Sequence, residues 1–368
     1  MRILTAAVIL TSAQFVISCN KDDDNTPVIP PYTVPTTYNF SDVEYTEASA
    51  RISMWVGYTG ILGRSSTREL SQDTINNLWT NTNSSFTAET ASNIPHTFDA
   101  LNALTFNLSS KVADVAIFKA YADSMVNVSK SVGVAASQGV AGKIGSRMVN
   151  YKGVEFNQLV AKGLMGALTL SNVVAILNQI PNDDNTTVIP GKGTAMQHNW
   201  DLAFGYVGIP KDYDSSFNYT TAPVKADRPL ALGGYFWERA RPIQAGGNVF
   251  GAFLKGRAAI AVKDYAVRDA AIATIKEYLE KTLAAAANIY LGLSQTRTDN
   301  AARFHDYSEG LGFVLALKYR GTTKLTDANY QTLVNLLQTD FWDLAADASF
   351  TKVKQAQDIL TAAYGTLQ

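Results

Sequence analysis

Apolar residues recur every three or four positions through most of the chain beyond residue 41, which is the spacing of one helix face. Ile272, Ile275, Leu279 and Leu283 follow this spacing, and charged side chains occupy the positions between them. Alternating apolar and polar runs bounded by hairpin turns, which are typical of strands, are nearly absent. The pattern therefore predicts an all-α fold with helical bundle architecture.

Proline, which breaks helix interiors, supports this prediction because it is missing between residues 95 and 181 and after residue 242. The stretch 179–246 is rich in Asn, Asp, Gly and Pro, and only a short helix is predicted at its centre. We expect this irregular segment to join two packed bundle lobes, roughly 41–208 and 247–368. The predicted helices cover 43–60, 66–80, 97–106, 113–133, 145–178, 194–207, 247–265, 267–293, 299–319, 326–338 and 350–366.

Length and charge narrow the classes of partner. The chain has 368 residues, enough for a sizeable core, and a formal net charge of -1. That balance provides no general electrostatic attraction to nucleic acid, and no basic cluster changes this. We therefore expect no nucleic-acid partner.

The first residues predict a lipoprotein signal. One arginine is followed by a short apolar run that ends in Ser18 and Cys19, the single cysteine of the chain. The run is too short to span a bilayer comfortably, and a small residue directly precedes the cysteine. This motif resembles a bacterial lipobox, so we expect removal of residues 1–18 and lipidation of Cys19. A plain secretory signal with an incidental cysteine is the alternative.

An acidic and proline-rich stretch follows the cysteine. Lys21 precedes three aspartates, and four prolines lie between residues 27 and 35. Proline at this density favours an extended spacer without helix. We expect residues 19–40 to form a disordered tether that holds a folded domain, residues 41–368, off the membrane. The acidic run resembles an export signal of surface lipoproteins, which predicts an outer-membrane location on the cell surface or the periplasmic face.

Two histidine segments about a hundred residues apart resemble one another. HNWDLAFGYVG begins at His198 and HDYSEGLGFVL begins at His305. Asp201 lies three residues after the first histidine and Glu309 four after the second, so each imidazole shares a helical face with a carboxylate. A glycine follows each histidine at the seventh position.

Two interpretations of this repeat are open. His198, Asp201, His305 and Glu309 could face one another and bind one divalent cation, iron or zinc, with Glu238 as a fifth ligand. The ligand atoms of the two histidines would then lie within roughly 5 Å of each other. Alternatively, each carboxylate orients its own histidine within a packed interior.

HNWDLAFGY, KGLMGAL and HDYSEGLGFVLAL together give the chain a resemblance to a Bacteroidetes lipoprotein family of unknown function. That family is distantly similar to imelysin-like proteins. The resemblance implies an all-helical fold of two bundle lobes and a link to iron uptake or, in some members, peptidase activity. The nearest match to the imelysin motif GxHxxE is His198-Asn199-Trp200-Asp201, which has an aspartate in place of the glutamate and lacks the preceding glycine.

Three functions are compatible with these residues. The first is a lipid-anchored protein that binds a divalent metal or a small ligand for uptake, with an outer-membrane transporter as its partner. The second is a metallopeptidase, and the third is a structural or carbohydrate-capturing lipoprotein without metal. The familiar enzyme motifs HExxH, GxSxG and the P-loop are absent, so we expect a binding protein more than an enzyme.

Overall fold

Helices make up most of the described chain, so the prediction of an all-α fold is confirmed. The computed structural model describes residues 29–90, 94–221 and 228–368. Two short antiparallel hairpins accompany the helices, β1 (Gly142–Ile144) with β2 (Arg147–Val149) and β3 (Val188–Ile189) with β4 (Gly193–Thr194). The helices are α1 (Thr46–Leu62), α2 (Gln72–Thr80), α3 (Phe98–Ala103), α4 (Val115–Ser129), α5 (Phe156–Leu164), α6 (Ser171–Gln179), α7 (Ala195–Val207), α8 (Ala231–Glu238), α9 (Ala245–Ala261), α10 (Tyr265–Thr296), α11 (Asn300–Ala316), α12 (Asp327–Leu337), α13 (Phe341–Ala346) and α14 (Thr351–Tyr364).

Three stretches differ from the sequence prediction. Residues 145–155 were expected to be helical, but they form the end of the first hairpin and a turn. Gly145 and Gly153 adopt positive φ angles of 56° and 83°, a conformation that reverses the chain and that glycine adopts without strain. Helices α8 and α13 were not predicted. The paired glycines and flanking prolines of the first favour an irregular segment, and the second spans only six residues.

The longest helices build the core of the bundle. Helix α10 packs against both α9 and α11, and α11 packs in turn against α5. Helix α7 packs against α1, α6 and α9. The buried faces carry Leu, Ile, Phe and Ala, as the three-to-four spacing of apolar residues indicates.

Helices α5 and α6 form one continuous helical stretch that is interrupted by a π-helical turn, Met165–Leu170. A Cβ atom at Gly166 would overlap the backbone of Ala316, so the glycine permits the C-terminal end of α11 to approach the π-helical turn closely. By length and composition alone Phe156–Asn182 could cross a membrane, but 61% of its most apolar window is buried inside the protein. That burial is typical of the central helix of a bundle.

The folded unit extends from Tyr32 to Gln368. It therefore begins earlier than the predicted boundary at residue 41, because Tyr38 is fully buried and stacks on Phe204 with ring centroids 3.8 Å apart. The predicted signal peptide (1–18), Cys19 and the first part of the predicted tether lie outside the described residues. The division of the helical domain into two lobes stays a prediction.

Candidate functional site

His305 lies between two carboxylates. Asp299 caps α11 by accepting a hydrogen bond from the backbone of Ala302, which places His305 in the second helical turn. The imidazole Nδ1 is 3.1 Å from Oε2 of Glu155, and Nε2 is 3.6 Å from Oε1 of Glu309. Since the two ring nitrogens point in different directions, the three side chains form a row and do not converge on one point.

Two cations extend this row. The Nζ atom of Lys162 is 3.0 Å from Oε1 of Glu309, and its side chain is only 13% exposed. At the other end, Nε of Arg147 is 3.8 Å from Oε1 of Glu155. Each carboxylate of the row thus has a cation beside it, Arg147 for Glu155 and Lys162 for Glu309, which limits the cost of burying them. We call this row the charged chain; its members are Arg147, Glu155, His305, Glu309 and Lys162.

Glu309 is ionised at neutral pH in this setting. Burial alone would raise the pKa of its carboxyl, but Lys162, His305 and the hydroxyl of Tyr290 outweigh that effect and hold the pKa below its usual value. The Tyr290 hydroxyl, which lies close enough to Glu309 to lower that pKa, donates a hydrogen bond to Oε1 of Glu238 at 3.3 Å. Oε2 of Glu309 and Oε1 of Glu155 are buried and have no hydrogen-bond donor within the described part of the chain.

Glu238 lies at the outer end of the same network. Its side chain is 44% exposed, and its carboxylate is 3.2 Å from the guanidinium of Arg239. Arg239 also donates a hydrogen bond to the Tyr290 hydroxyl at 3.1 Å. The structure thus connects Glu238 to Glu309 through Tyr290, although the carboxylates themselves are not in contact.

A cleft of about 370 Å³ opens beside the charged chain, between α1 and α5. Lys162 forms part of its wall, and the Lys162 ammonium lies 5.3 Å from the ring centroid of Tyr235, which also lines the cleft. We call it the Lys162 cleft. The π-helical turn contributes Met165 to its lining, which fits the frequent occurrence of such turns at functional sites. The remaining lining residues are Trp55, Val56, Thr59, Gly60, Gly63, Asn157, Gln158, Ala161, Pro229, Leu230 and Ala231.

His198 and Asp201 have a different set of neighbours. The predicted capping box is present, since Thr194 and Gln197 exchange hydrogen bonds at the start of α7. His198 Nδ1 is 3.7 Å from Glu44 Oε2. Burial, and after it the charge of Lys192, lowers the pKa of His198, so its imidazole is neutral at physiological pH.

Asp201 binds the beginning of the folded unit to α9. Its Oδ1 accepts hydrogen bonds from Nε of Arg257 at 2.9 Å and from the hydroxyl of Tyr38 at 2.7 Å. Complete burial raises the pKa of this carboxyl to about 6, against the opposing effect of Arg257. Asp201 therefore holds three segments of the chain together: the segment around Tyr38, helix α7 and helix α9.

The resemblance between the two histidine segments extends to their partner helices. Each histidine lies beside a glutamate near the start of a helix. Glu44 lies two residues before the start of α1, and Glu155 directly precedes α5. Ser308, three residues after His305, accepts the backbone N–H of Glu155 at 3.0 Å. Asp201, three residues after His198, lies close enough to the backbone of Glu44 for that backbone to lower the pKa of its carboxyl. The structure therefore repeats a helix-pair arrangement, α1 with α7 and α5 with α11.

The structure does not gather the four predicted ligands into one cluster. It joins His305 to Glu309, whereas His198 contacts Glu44 and Asp201 pairs with an arginine. Within residues 29–90, 94–221 and 228–368, no group of three or more His, Cys, Asp or Glu side chains is arranged to hold a metal ion. Metal binding by these residues stays a prediction.

Sequence reasoning missed Glu155, Lys162 and Tyr290. The first two lie in GVEFNQLVAKGLMGAL, where the glycines drew attention to tight packing. A signal was present, because Glu155 and Lys162 are seven residues apart and thus share a helical face. The repeat of Glu44-Tyr45 with Ala50-Arg51 as Glu155-Phe156 with Ala161-Lys162 was a second signal.

Comparison with known proteins gives one result. A family described as "Domain of unknown function (DUF4856)" matches residues 35–365. No curated protein matches the chain. No solved structure matches it either.

Proposed function

Because the chain belongs to a family defined by a domain of unknown function, DUF4856, we propose its function from the site itself. The protein is a lipid-anchored binding protein whose Lys162 cleft takes up a small, oxygen-rich molecule that is neutral or carries one carboxylate. The observation that carries this proposal is the position of Lys162. This lysine lines the cleft, its side chain is nearly buried, and its ammonium is ion-paired with Glu309 at 3.0 Å.

A fixed ammonium is a good recognition group for a ligand oxygen. An ammonium has three donors, and Lys162 uses one of them for Glu309. Because the partner is already in place, a ligand does not have to order the lysine side chain on binding. The remaining donors can bind an acceptor oxygen of the ligand, and a carboxylate would form the strongest, charge-assisted bond.

The rest of the lining indicates the body of the ligand. The side-chain amides of Asn157 and Gln158 and the hydroxyl of Thr59 provide neutral hydrogen-bonding groups. Trp55 and Met165 provide apolar surface. The charged chain is balanced, with two cations facing two carboxylates, so the site does not favour a highly charged ligand.

Binding is a better proposal than catalysis because neither a histidine nor a carboxylate is among the described residues that line the cleft. His305, the imidazole of the charged chain, is not among the lining residues and is held between Glu155 and Glu309. A general base must come within hydrogen-bond reach of the proton that it removes.

The anchor is part of the proposal. Lipidation at Cys19 would leave thirteen residues before the folded unit begins at Tyr32. Such a stretch spans at most about 45 Å when extended. The cleft would thus stay near the outer membrane, on its cell-surface or periplasmic face, within reach of a transporter that receives the ligand.

Calorimetric titration of a soluble form of the protein, residues 20–368 without the lipidated cysteine, tests ligand binding in the cleft. The probes are acetate, glucuronate and glucose. We expect at least one of them to bind, and Lys162→Met to weaken that binding at least tenfold. Gln158→Ala, which leaves the charged chain intact, should weaken it as well. Lys255→Met is the matched control, because this lysine is exposed on α9 and lies outside the Lys162 cleft. Binding that is equally strong in Lys162→Met and Lys255→Met, or no binding of any probe, would contradict the proposal.

A divalent metal is the second candidate, favoured by one oxygen each of Glu155 and Glu309, on either side of His305, that accepts no hydrogen bond from the described residues. Iron or zinc could bind the His305 imidazole and one of these carboxylates. Glu238, the predicted fifth ligand, is linked to Glu309 through Tyr290. The fit is limited, since Lys162 and Arg147 compete for the same carboxylates. Elemental analysis of protein purified without a metal-binding tag tests this second candidate, with His305→Gln as the comparison. One equivalent of metal in the wild type that is missing from His305→Gln would establish the metal site.

A further inference from the structure

A second cleft of about 350 Å³ lies beside a different part of the α5 surface. Phe156 and Leu159 line it, whereas Gln158 and Lys162 line the Lys162 cleft. Helix α4 and the residues after α12 complete its walls. It does not overlap the Lys162 cleft, so the inference below does not rest on the proposed function. We call it the Tyr151 cleft.

Tyr151 stands at the rim of this cleft with 52% of its surface exposed. The turn that carries it is rigid. Oδ1 of Asn150 accepts hydrogen bonds from the backbone of Lys152 and of Val154, both at 2.9 Å. The carbonyl of Tyr151 itself accepts one from the backbone of Gly139 at 3.0 Å. The fold therefore presents a large aromatic ring to solvent on a well-fixed backbone.

Such a ring is a suitable platform for a ligand. A tyrosine offers a large, rigid and amphipathic surface, and it loses little conformational entropy on binding because only two side-chain torsions must be fixed. Tyr121 and Phe156 also line the cleft, and their rings stack with centroids 5.9 Å apart. Three aromatic rings thus contribute to the lining.

The polar groups of the cleft are almost all uncharged. Ser124 and Thr339 contribute hydroxyls, and Asn150 and Gln338 contribute amides. Among the described residues that line the cleft, Lys152 is the single charged one, and its ammonium lies 5.7 Å from the ring centroid of Tyr151. These described residues include no carboxylate for a metal ion and no pair of cations for a phosphate.

We infer that the Tyr151 cleft binds a neutral sugar, with one sugar ring stacked on Tyr151. Amides and hydroxyls both donate and accept, as sugar hydroxyls do, and an aromatic face matches the C–H surface of a sugar ring. The cleft volume of about 350 Å³ is at the small end of the range for ligand sites, which suits a monosaccharide or disaccharide unit.

Saturation-transfer difference NMR on the soluble form of the protein, residues 20–368, tests this inference. The probes are maltose, cellobiose, mannobiose and N,N′-diacetylchitobiose at millimolar concentration, with digalacturonate as the acidic counterpart. At least one neutral disaccharide should give a signal. Tyr151→Ala should weaken its affinity about three- to tenfold, the loss expected for one stacked ring. Tyr151→Phe, which retains the ring, should bind nearly as well as wild type.

The control is Phe217→Ala, because Phe217 is an aromatic of similar exposure, 44%, outside this cleft. Gln338→Ala provides a second variant at an exposed position in case Tyr151→Ala does not fold. Signals that Tyr151→Ala or Gln338→Ala weakens and Phe217→Ala leaves unchanged would support the neutral-sugar site. No signal from any neutral disaccharide, a signal only from digalacturonate, or equal signals in all variants would overturn it.

Discussion

Replacing Lys162 with methionine should destabilise the protein through Glu309. The carboxylate of Glu309 is 5% exposed, and Lys162 is its nearest cation at 3.0 Å. Removing one partner of such a buried pair leaves an uncompensated charge, at a cost of about 3–5 kcal/mol in unfolding free energy. With an unfolding entropy of about 2.1 cal/mol/K per residue over the Tyr32–Gln368 unit, this loss corresponds to a melting point lower by roughly 4–7 °C.

The pH dependence identifies the cause. In the wild type the pKa of Glu309 is held below its usual value, so its stabilising contribution is present above that usual value and is lost as the pH falls. In Lys162→Met, burial without the lysine raises the pKa of Glu309. The stability difference between wild type and variant should therefore be largest near pH 8 and should shrink as the pH falls and the carboxyl becomes protonated, first in the variant and then in the wild type.

The assay is thermal unfolding followed by circular dichroism across this pH range. A double variant, Lys162→Met with Glu309→Leu, removes the stranded charge and should recover most of the lost stability. Equal melting points for wild type and Lys162→Met at pH 8, or a double variant as unstable as the single one, would refute the reasoning.

Three further predictions concern other parts of the chain. Charging the buried Asp201, whose pKa is raised to about 6, should cost the folded state about 3 kcal/mol between pH 4 and 6, at about 1.4 kcal/mol per pKa unit. Denaturant titrations should therefore show wild type losing stability relative to Asp201→Asn as the pH rises through this window, and parallel curves would argue against it. Gly166→Ala should destabilise by several kcal/mol because its Cβ would overlap the Ala316 backbone, whereas Gly251→Ala, which meets nothing within 4 Å, should stabilise α9 by up to about 1 kcal/mol. Equal effects of the two alanines on the denaturation midpoint would disprove this packing argument. Finally, Cys19→Ala should move the protein from the membrane fraction to the soluble fraction, and full retention in the membrane fraction would exclude the lipobox interpretation.

The fold could be predicted from the sequence where one periodic pattern decided it. The spacing of apolar residues indicated the helical bundle, and Thr194 with Gln197 located the start of α7 to the residue. The turn at Gly145 and Gly153 was missed because positive φ angles leave no periodic trace in the neighbouring residues. Helix α8 was missed because its two glycines favour irregular structure, and its packing against neighbouring helices, among them α9 and α10, stabilises it.

The site was partly predictable. The sequence identified His305, Glu309 and Glu238, which the structure joins in one network through Tyr290. Charge signs and helical faces can be read from sequence, but the partner of each charge depends on which helices pack together. That pairing was not visible for Lys162 or for Asp201, which binds Arg257 from a helix fifty-six residues further on.

Hydrogen–deuterium exchange on the mature chain, with and without the tightest probe from the titration, tests the proposed function most directly. Ligand in the Lys162 cleft should slow exchange in the segments that line it, 55–63 in α1 and 157–165 in α5 and its π-helical turn. The same probe should give no protection in Lys162→Met. Protection confined to other segments, or protection of 55–63 and 157–165 that survives in Lys162→Met, would contradict the assignment of the ligand to this cleft.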